Sequence, residues 1–361
     1  MIPEIVFVAG ARPNFMKIAP VAAALRKDPR VRGTIVHTGQ HYDRGMSQIF
    51  FEQLGIPQPD ICLEVGSGSH ARQTAEIMIR IEPVLLERRP AAVLVFGDVN
   101  STVAASLVAA KLGIRVAHVE AGLRSFDRSM PEEINRVVTD AISDWLFVSE
   151  RSGIENLARE GVDSGHVHFV GNVMIDTLLA SRARAEALAM PARLGLRGDY
   201  AVLTLHRPSN VDDVNALRAR LEPIFELASR MPVVFPVHPR TRQVLVELGL
   251  GGSARLRLLE PLGYLEFLGL LAGARLCVTD SGGIQEETTI LGVPCVTLRE
   301  NTERPVTISF GTNRLAGVDP DHIQRTIAEA LAVPRSARAP ELWDGRAAER
   351  IAAILTRDLV S

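Results

Sequence analysis

The sequence predicts an α/β protein of two doubly wound domains, each a parallel sheet covered by helices on both faces. Three observations predict it. The chain has 361 residues, and at about 150 residues per domain that length divides into two. Short apolar runs recur along it, nearly continuous rather than alternating, as in strands buried on both faces. These runs alternate with amphipathic stretches and form two series with a break between them.

The first series is EIVFVA (4–9), GTIVHT (33–38), AAVLVF (91–96), RVAHVE (115–120) and WLFVS (145–149). The second is YAVLTL (200–205), PVVFPV (232–237), RLRLLE (255–260), RLCVTD (275–280) and VPCVTL (293–298). Helical patterns lie between them, at Met46–Leu54, Gln73–Glu87, Ile134–Ile142 and Val214–Ser229. VGNVMID, within Phe169–Asp176, separates the series, and a helix-like stretch follows at Thr177–Leu188. Pro191–Asp199 reads as a loop, 332–341 as a surface connection and Arg346–Leu359 as a terminal helix. The domains expected are therefore 1–170 and 171–345, followed by the helical segment 346–361.

Composition narrows the classes of function. Hydrophobic residues make up 47% and charged residues 23%, as in ordinary globular proteins, which excludes a disordered or collagen-like chain. Forty basic against 42 acidic residues give a net charge of −2. No block of like charge suggests a nucleic-acid tail or a membrane-surface anchor. Among the basic residues only Lys17, Lys27 and Lys111 are lysine. Cys62, Cys277 and Cys295 are odd in number, far apart and form no CxxC, which reads as buried thiols in a reducing compartment. The opening residues carry no signal-like pattern, and no apolar run approaches the ~20 residues of a membrane helix. A soluble, cytoplasmic protein is expected.

In open parallel sheets ligands bind beyond the carboxyl ends of the strands, so the residues after each run matter most. They are Gly10–Lys17, Gln40 and His41, Gly97-Asp98, Glu120–Arg124, His206-Arg207, His238-Pro239-Arg240, Asp280–Gly283 and Arg299. Two such domains facing each other enclose a charged cleft. In DSGGIQEE (280–287) a strand, a glycine turn and a helix from near Ile284 aim backbone N–H groups at a phosphate. Glu287, in the first turn, then reaches a ribose diol; the alternative is an ordinary N-cap. Asp98, Glu120 and Glu132 are acid/base candidates. Asp98 could instead cap the helix at Ser101, Glu132 could simply favour a helix start, and His206 and His238 could be core histidines. His166 and His168 alternate along a short strand, but without a third ligand no metal is expected. Gly66–Ala71 fits G-x-G-x-x-G/A, with Glu87 about 20 residues on. It follows only a short strand-like piece, Ile61–Val65. No tyrosine has a lysine four residues on: Tyr42, Tyr200 and Tyr264 are followed by Met46, Thr204 and Leu268. The Gly66 stretch is read as a loop, with no nicotinamide cofactor and indeed no cofactor at all.

Together GARPNFMKIAP (10–20), FGDVNST (96–102), HVEAGLRS (118–125), MPEEINR (130–136), TLHRPSN (204–210), PVHPR (236–240), TDSGGIQEE (279–287) and LRENTERPVT (298–307) resemble the non-hydrolysing UDP-N-acetylglucosamine 2-epimerases. They occur in that family's order and spacing over about 300 residues. The resemblance implies two Rossmann-like domains facing across a cleft, a glycosyltransferase-B-like pair, with the C-terminal helix returning to the first. It makes Asp98, Glu120 and Glu132 the acid/base carboxylates and puts His206 beside the reacting diphosphate–sugar. Arg12, His238, Ser281, Gly282, Gly283 and Arg304 hold UDP phosphates, Glu287 the ribose and Phe267 the uracil; Lys17, Arg136 and Arg207 line the cleft. The implied partner is a UDP-sugar in a homodimeric enzyme of polysaccharide biosynthesis, without nucleic acid or membrane.

Many members of that family bind a second UDP-sugar as an activator through Gln-His-x-x-Gln and an arginine. Here the corresponding residues are Gln40-His41-Tyr42-Asp43 and Glu76, and acidic groups there argue against such activation. Four rivals remain: epimerisation of UDP-2,3-diacetamido-2,3-dideoxyglucuronate, which 36–57 also resembles; a hydrolysing epimerase; a glycosyltransferase of the same fold; and a non-catalytic UDP-sugar sensor. Glu303–Thr307 favours the N-acetylglucosamine group. Arg12-Pro13-Asn14 argues against hydrolysis, and carboxylates at both Asp98 and Glu120 argue against a transferase or a sensor.

Overall fold

The computed structural model describes residues 2–10, 12–39, 55, 58–211, 213–237, 239–247, 249 and 256–360. Two compact units emerge, one of Met1–Ala180 with Glu341–Ser361 and one of Ser181–Pro340. The first division falls inside the helix Val173–Ala187. The pattern Met46–Leu54 lies outside the described residues.

In the first unit, strands β1 (Glu4–Ala9), β2 (Arg32–His37), β3 (Ile61–Cys62), β4 (Ala92–Phe96), β5 (Arg115–Ala121), β6 (Trp145–Val148) and β7 (Val167–Phe169) form one sheet. Its order is β3-β2-β1-β4-β5-β6-β7, and every pairing is parallel. The order reverses between β1 and β4, the position where open α/β sheets bind ligands. Ile5, Phe7, Leu94, Phe96 and Phe147 pack with Phe15, Ile18 and Val21 of the helix Arg12–Leu25 and with Ile351 and Leu355 of the helix Ala347–Val360. Val6, Val8, Val93 and Val95 face the other way, onto Ile81 and Leu85 of the helix His70–Arg88. Alternate residues of one strand thus serve two cores, which is why these runs are apolar throughout.

Specific polar groups fix the C-terminal helix. Asp176 accepts from the N–H groups of Ala347 and Ala348, at 3.2 and 2.7 Å. Trp343 Nε1 donates to Ser149 O, and Trp145 Nε1 to Asp358. Each bond satisfies a buried donor that otherwise costs about 1–3 kcal/mol.

The second unit contains β8 (Ala201–Thr204), β9 (Val233–Pro236), β10 (Leu256–Leu259), β11 (Leu276–Thr279), β12 (Cys295–Thr297) and β13 (Asn313–Leu315). They pair in parallel in the order β10-β9-β8-β11-β12-β13, with the reversal at β8 and β11. Leu203, Phe235 and Leu276 pack on the helices Val214–Arg230 and Pro320–Ala332. Asp213 caps the first of these through the N–H groups of Asn215 and Ala216.

The expected strands form as the apolar runs predict, and four local readings differ. Met190–Arg193 is a helical turn that runs into the stretch read as loop from Pro191, because Pro191 suits a first-turn position. Asn313–Leu315 is a strand too short to leave an apolar run. His166 closes a 3-10 turn, Ser164–His166, and only His168 lies on the strand. The helix after DSGG begins at Gly282 rather than near Ile284.

Candidate active site

In the first unit the reactive groups gather where β4 and β5 end. Gly97 turns the chain with φ of 65°, and Asp98 follows. The helix after it, Asn100–Lys111, has Val99 at its N-cap with no side-chain cap bond. Ser101 Oγ is hydrogen-bonded to Thr38 Oγ1 at 2.8 Å. Val99 rather than Asp98 is thus the N-cap residue, and Asp98 Oδ2 meets Arg136 of the helix Pro131–Ala141. Asn135 Nδ2 also donates to Asp98 O at 2.8 Å. The Arg136 side chain is 3% exposed and that of Asp98 30%, so the cation is buried and the carboxylate presented.

Glu120 sits where the β5–β6 register shifts, between Val119 and Ala121, with φ of 77°. A side chain in that left-handed region costs of order 1–3 kcal/mol and is characteristically found at functional sites. The Glu120 carboxylate pairs with Lys17 Nζ, on the helix Arg12–Leu25. Glycine at 97 suits both its positive φ and this pair, since a Cβ there falls 2.9 Å from Lys17 Nζ and 3.1 Å from Glu120 Oε2. Asn14 ties the same tips together: it accepts from Gly10 N at 3.1 Å and donates to Phe96 O at 2.8 Å.

Glu132 is half-buried in the first turn of the helix Pro131–Ala141. Its neighbour Glu133, which has no role in the sequence reading, is more deeply engaged. It accepts from Ser125 N and Oγ at 3.0 Å, Phe126 N at 2.8 Å and Arg136 Nη2 at 2.6 Å. Burial pushes its pKa up, but these donors outweigh burial and hold it below the usual carboxylate range. The Glu133–Arg136 spacing of three was the available signal. Deeper still, fully buried His118 is bonded to Asp140 at 2.6 Å and to Gly97 O at 2.8 Å. Asp140 also accepts from Gly122 N at 3.0 Å and pairs with Arg124 at 2.7 Å. This network joins the turns that carry Asp98 and Glu120.

In the second unit the groups lie beyond β8 and β11. His206 Nδ1 is 2.7 Å from Asp280 Oδ1, with the histidine side chain 61% exposed and the aspartate 0%. Asp280 also accepts from His206 N, Arg207 N at 2.9 Å and Asn210 Nδ2 at 3.0 Å. Burial raises its pKa, yet the His206 ring and the N–H donors lower it to about 2.

Ser281 is the N-cap of the helix Gly282–Leu291 and makes no side-chain cap bond. The first-turn N–H groups thus have no acceptor from the N-cap side chain, an arrangement suited to an anion. Arg304 lies over this turn: a Cβ on Gly282 falls 2.5 Å from Arg304 Nη1. Its guanidinium is held by Glu303 and, at 2.8 Å, by Glu286; Glu303 also accepts from Arg299 at 2.7 Å. Gly283 is half-buried beside Gly282.

Glu287 belongs to the second turn rather than the first, because the helix starts two residues earlier than expected. Burial pushes its pKa up to about 8, against a hydrogen bond from the Tyr264 hydroxyl, and nearby Glu286 adds to the rise. Phe267 is half-buried on the helix Tyr264–Ala272, and Arg207 is half-buried after β8. Arg12 opens the helix Arg12–Leu25. His238, like Gln40, His41, Tyr42 and Asp43, lies outside the described residues. Glu76 pairs with Arg80 at 3.2 Å along the helix His70–Arg88.

The Gly66 stretch leads into a helix capped by Ser69, whose hydroxyl accepts from Arg72 N. His166 Nδ1 lies 2.7 Å from Asp144 O, and the His168 ring packs on Phe147. Among the described residues no group of three His, Cys, Asp or Glu side chains is placed to hold a metal, and no helix is long and apolar enough to cross a membrane.

Comparison with known proteins agrees with the local chemistry. The family model described as UDP-N-acetylglucosamine 2-epimerase matches residues 23–356. A UDP-N-acetylglucosamine 2-epimerase of Methanocaldococcus jannaschii is 44% identical, over 97% of this chain and 98% of its own. A UDP-2,3-diacetamido-2,3-dideoxy-D-glucuronate 2-epimerase of Pseudomonas aeruginosa is 42% identical, over 98% and 99%. The crystal structure of the M. jannaschii UDP-GlcNAc 2-epimerase in complex with UDP-GlcNAc and UDP matches with a TM-score of 0.92, covering 98% of this chain and 99% of that one.

Proposed function

The chain belongs to the UDP-N-acetylglucosamine 2-epimerase family, and we propose that it interconverts UDP-N-acetylglucosamine and UDP-N-acetylmannosamine by eliminating and re-adding UDP. The observation that carries this reading is the pair of carboxylates at adjacent strand ends, Asp98 on Arg136 and Glu120 on Lys17. The C2 proton of the sugar neighbours no carbonyl, so direct abstraction is slow. Breaking the C1–O bond first builds positive charge at C1, and a carboxylate can then remove the C2 proton. The electron pair of the broken bond leaves with UDP, and the C2–H pair forms the double bond of 2-acetamidoglucal. Protonation at C2 from the other face and return of UDP give the epimer.

In this reading the second unit, with residues 171–345 as the expected domain, binds UDP. His206, Arg304 and the Ser281–Gly283 turn meet the departing diphosphate, with Arg12 and His238 assigned to it by resemblance. Glu287 takes the ribose and Phe267 the uracil. The first unit supplies Asp98, Glu120 and Glu132 as acid and base, with Lys17 and Arg136 as their cationic partners; Arg207 lines the sugar side. The resemblance also supports a cytoplasmic homodimer, which a light-scattering mass tests. Proton NMR of the enzyme with UDP-N-acetylglucosamine in D2O tests the activity. The expected result is UDP-N-acetylmannosamine with deuterium at C2. Free UDP with N-acetylmannosamine identifies hydrolysis instead, and no turnover by folded, UDP-binding protein moves the substrate to the diacetamido-uronate.

A further inference from the structure

We propose that Asp280 is a positioning residue that acts through His206, fixing the ring so that Nε2 is directed at the leaving oxygen of the diphosphate. The proposal rests on the assignment of His206 to the diphosphate made above. It extends that assignment to a residue that touches no substrate.

The geometry is asymmetric. Asp280 follows β11 directly, is wholly buried, and has its carboxylate oxygens taken up by the backbone N–H of His206 and Arg207, the Asn210 amide and the His206 ring. These donors fix the carboxylate before any ligand arrives. An ionised carboxylate only accepts, so Nδ1 of His206 must carry the hydrogen in the 2.7 Å contact. Nε2 lies at the opposite edge of the ring, on a side chain 61% exposed. Without this contact, an exposed histidine samples several rotamers and both neutral tautomers.

A buried carboxylate behind the ring also compensates the charge of the imidazolium form, as in Asp–His pairs of other enzymes. That form donates from Nε2 to the β-phosphate oxygen that receives the electron pair when C1–O breaks. The ring keeps its proton, so nothing further must be supplied. Asn210 adds a second tie: its amide donates to Asp280 and, at 3.3 Å, to Leu298 O, which anchors the carboxylate to the strand end before Arg299.

The test is a double-mutant cycle with Asp280→Asn, His206→Asn and both together, measuring kcat, KM and UDP affinity. The expected result is a kcat loss on the order of 10²–10⁴-fold for Asp280→Asn. UDP affinity should stay within about threefold, and the His206→Asn background should lose nothing further. Equal losses in both backgrounds assign Asp280 a purely structural role and overturn the proposal, as does wild-type kcat in Asp280→Asn. If His206→Asn itself keeps wild-type turnover, the assignment of His206 fails and the proposal fails with it. Nitrogen-15 NMR of the histidine rings separates these failures. The neutral His206 ring should be the Nδ1–H tautomer in the wild type and lose that preference in Asp280→Asn. A preference retained in Asp280→Asn overturns the positioning role even where His206 is essential. Should Asp280→Asn not fold, the wild-type spectrum still decides, since an Nε2–H tautomer contradicts the proposed contact.

Discussion

The two units share a sheet order and a ligand-binding switch point, yet they present opposite charge there. At the strand ends of the first unit a buried cation supports a carboxylate: Arg136 is 3% exposed behind Asp98 at 30%. At those of the second a buried carboxylate supports a cation or a ring: Asp280 lies behind His206, and Glu286 and Glu303 behind Arg304. One topology thus presents carboxylates in one unit and a ring and a cation in the other, which the proposed function uses for proton transfer and for anion binding. The sign presented depends on which partner the fold buries, and that choice rests on a few loop residues. A buried group must be paired to be tolerated, so the supporting partner is as constrained as the group it supports.

The largest effects should come from the first unit. Asp98→Asn or Glu120→Gln should lower kcat by about 10²–10⁴-fold, the usual scale for a removed acid/base group, with UDP affinity unchanged. Kinetics and calorimetry on each variant check this. A variant with near-normal turnover loses its place in the mechanism.

The second unit should show the reverse division. In Gly282→Ala the new Cβ falls 2.5 Å from Arg304 Nη1. That atom ends a flexible side chain and can move, and alanine suits a helix better than glycine. The fold should hold while UDP affinity falls about tenfold, or about 1.4 kcal/mol, as measured by titration calorimetry. Loss of C2 exchange at saturating substrate, with UDP affinity intact, would erase the distinction between the units.

A smaller effect separates two carboxylates within the second unit. Asp280 is lowered to about 2, so its stabilising contribution is present above the ordinary aspartate range and lost as pH falls through about 2. Glu287 is raised to about 8, so its contribution is full below the ordinary glutamate value and lost as pH rises through about 8. Melting temperature against pH should therefore decline toward pH 8, and Glu287→Gln should flatten that decline. A decline unchanged in Glu287→Gln places its source elsewhere.

Much of this was legible in the sequence because strands buried on both faces must be apolar throughout and their polar ends then stand out. Asp98 and His206 follow such runs, and Glu120 and Asp280 end them. The supporting partners were less visible. Asp280 reaches His206 from 74 positions away, and no local pattern reports that distance. Glu133 carries no local signal beyond that of an acidic residue in a helix's first turn. Glu287 was placed one turn too early because a glycine pair reads as loop, whereas Gly282 begins the helix so that Arg304 can lie against it. Nor does any periodicity announce the left-handed backbone at Glu120, which follows from the register shift beside β6.

The most direct test of this division of labour is positional isotope exchange in UDP-N-acetylglucosamine carrying oxygen-18 in the bridge between the sugar and the β-phosphate, followed by phosphorus NMR. If the second unit releases the diphosphate before the first completes inversion, the label should move from the bridge into non-bridging positions at least as fast as the epimer forms. Epimer forming while the label stays in the bridge, with no UDP or 2-acetamidoglucal detectable at equilibrium, would contradict the account.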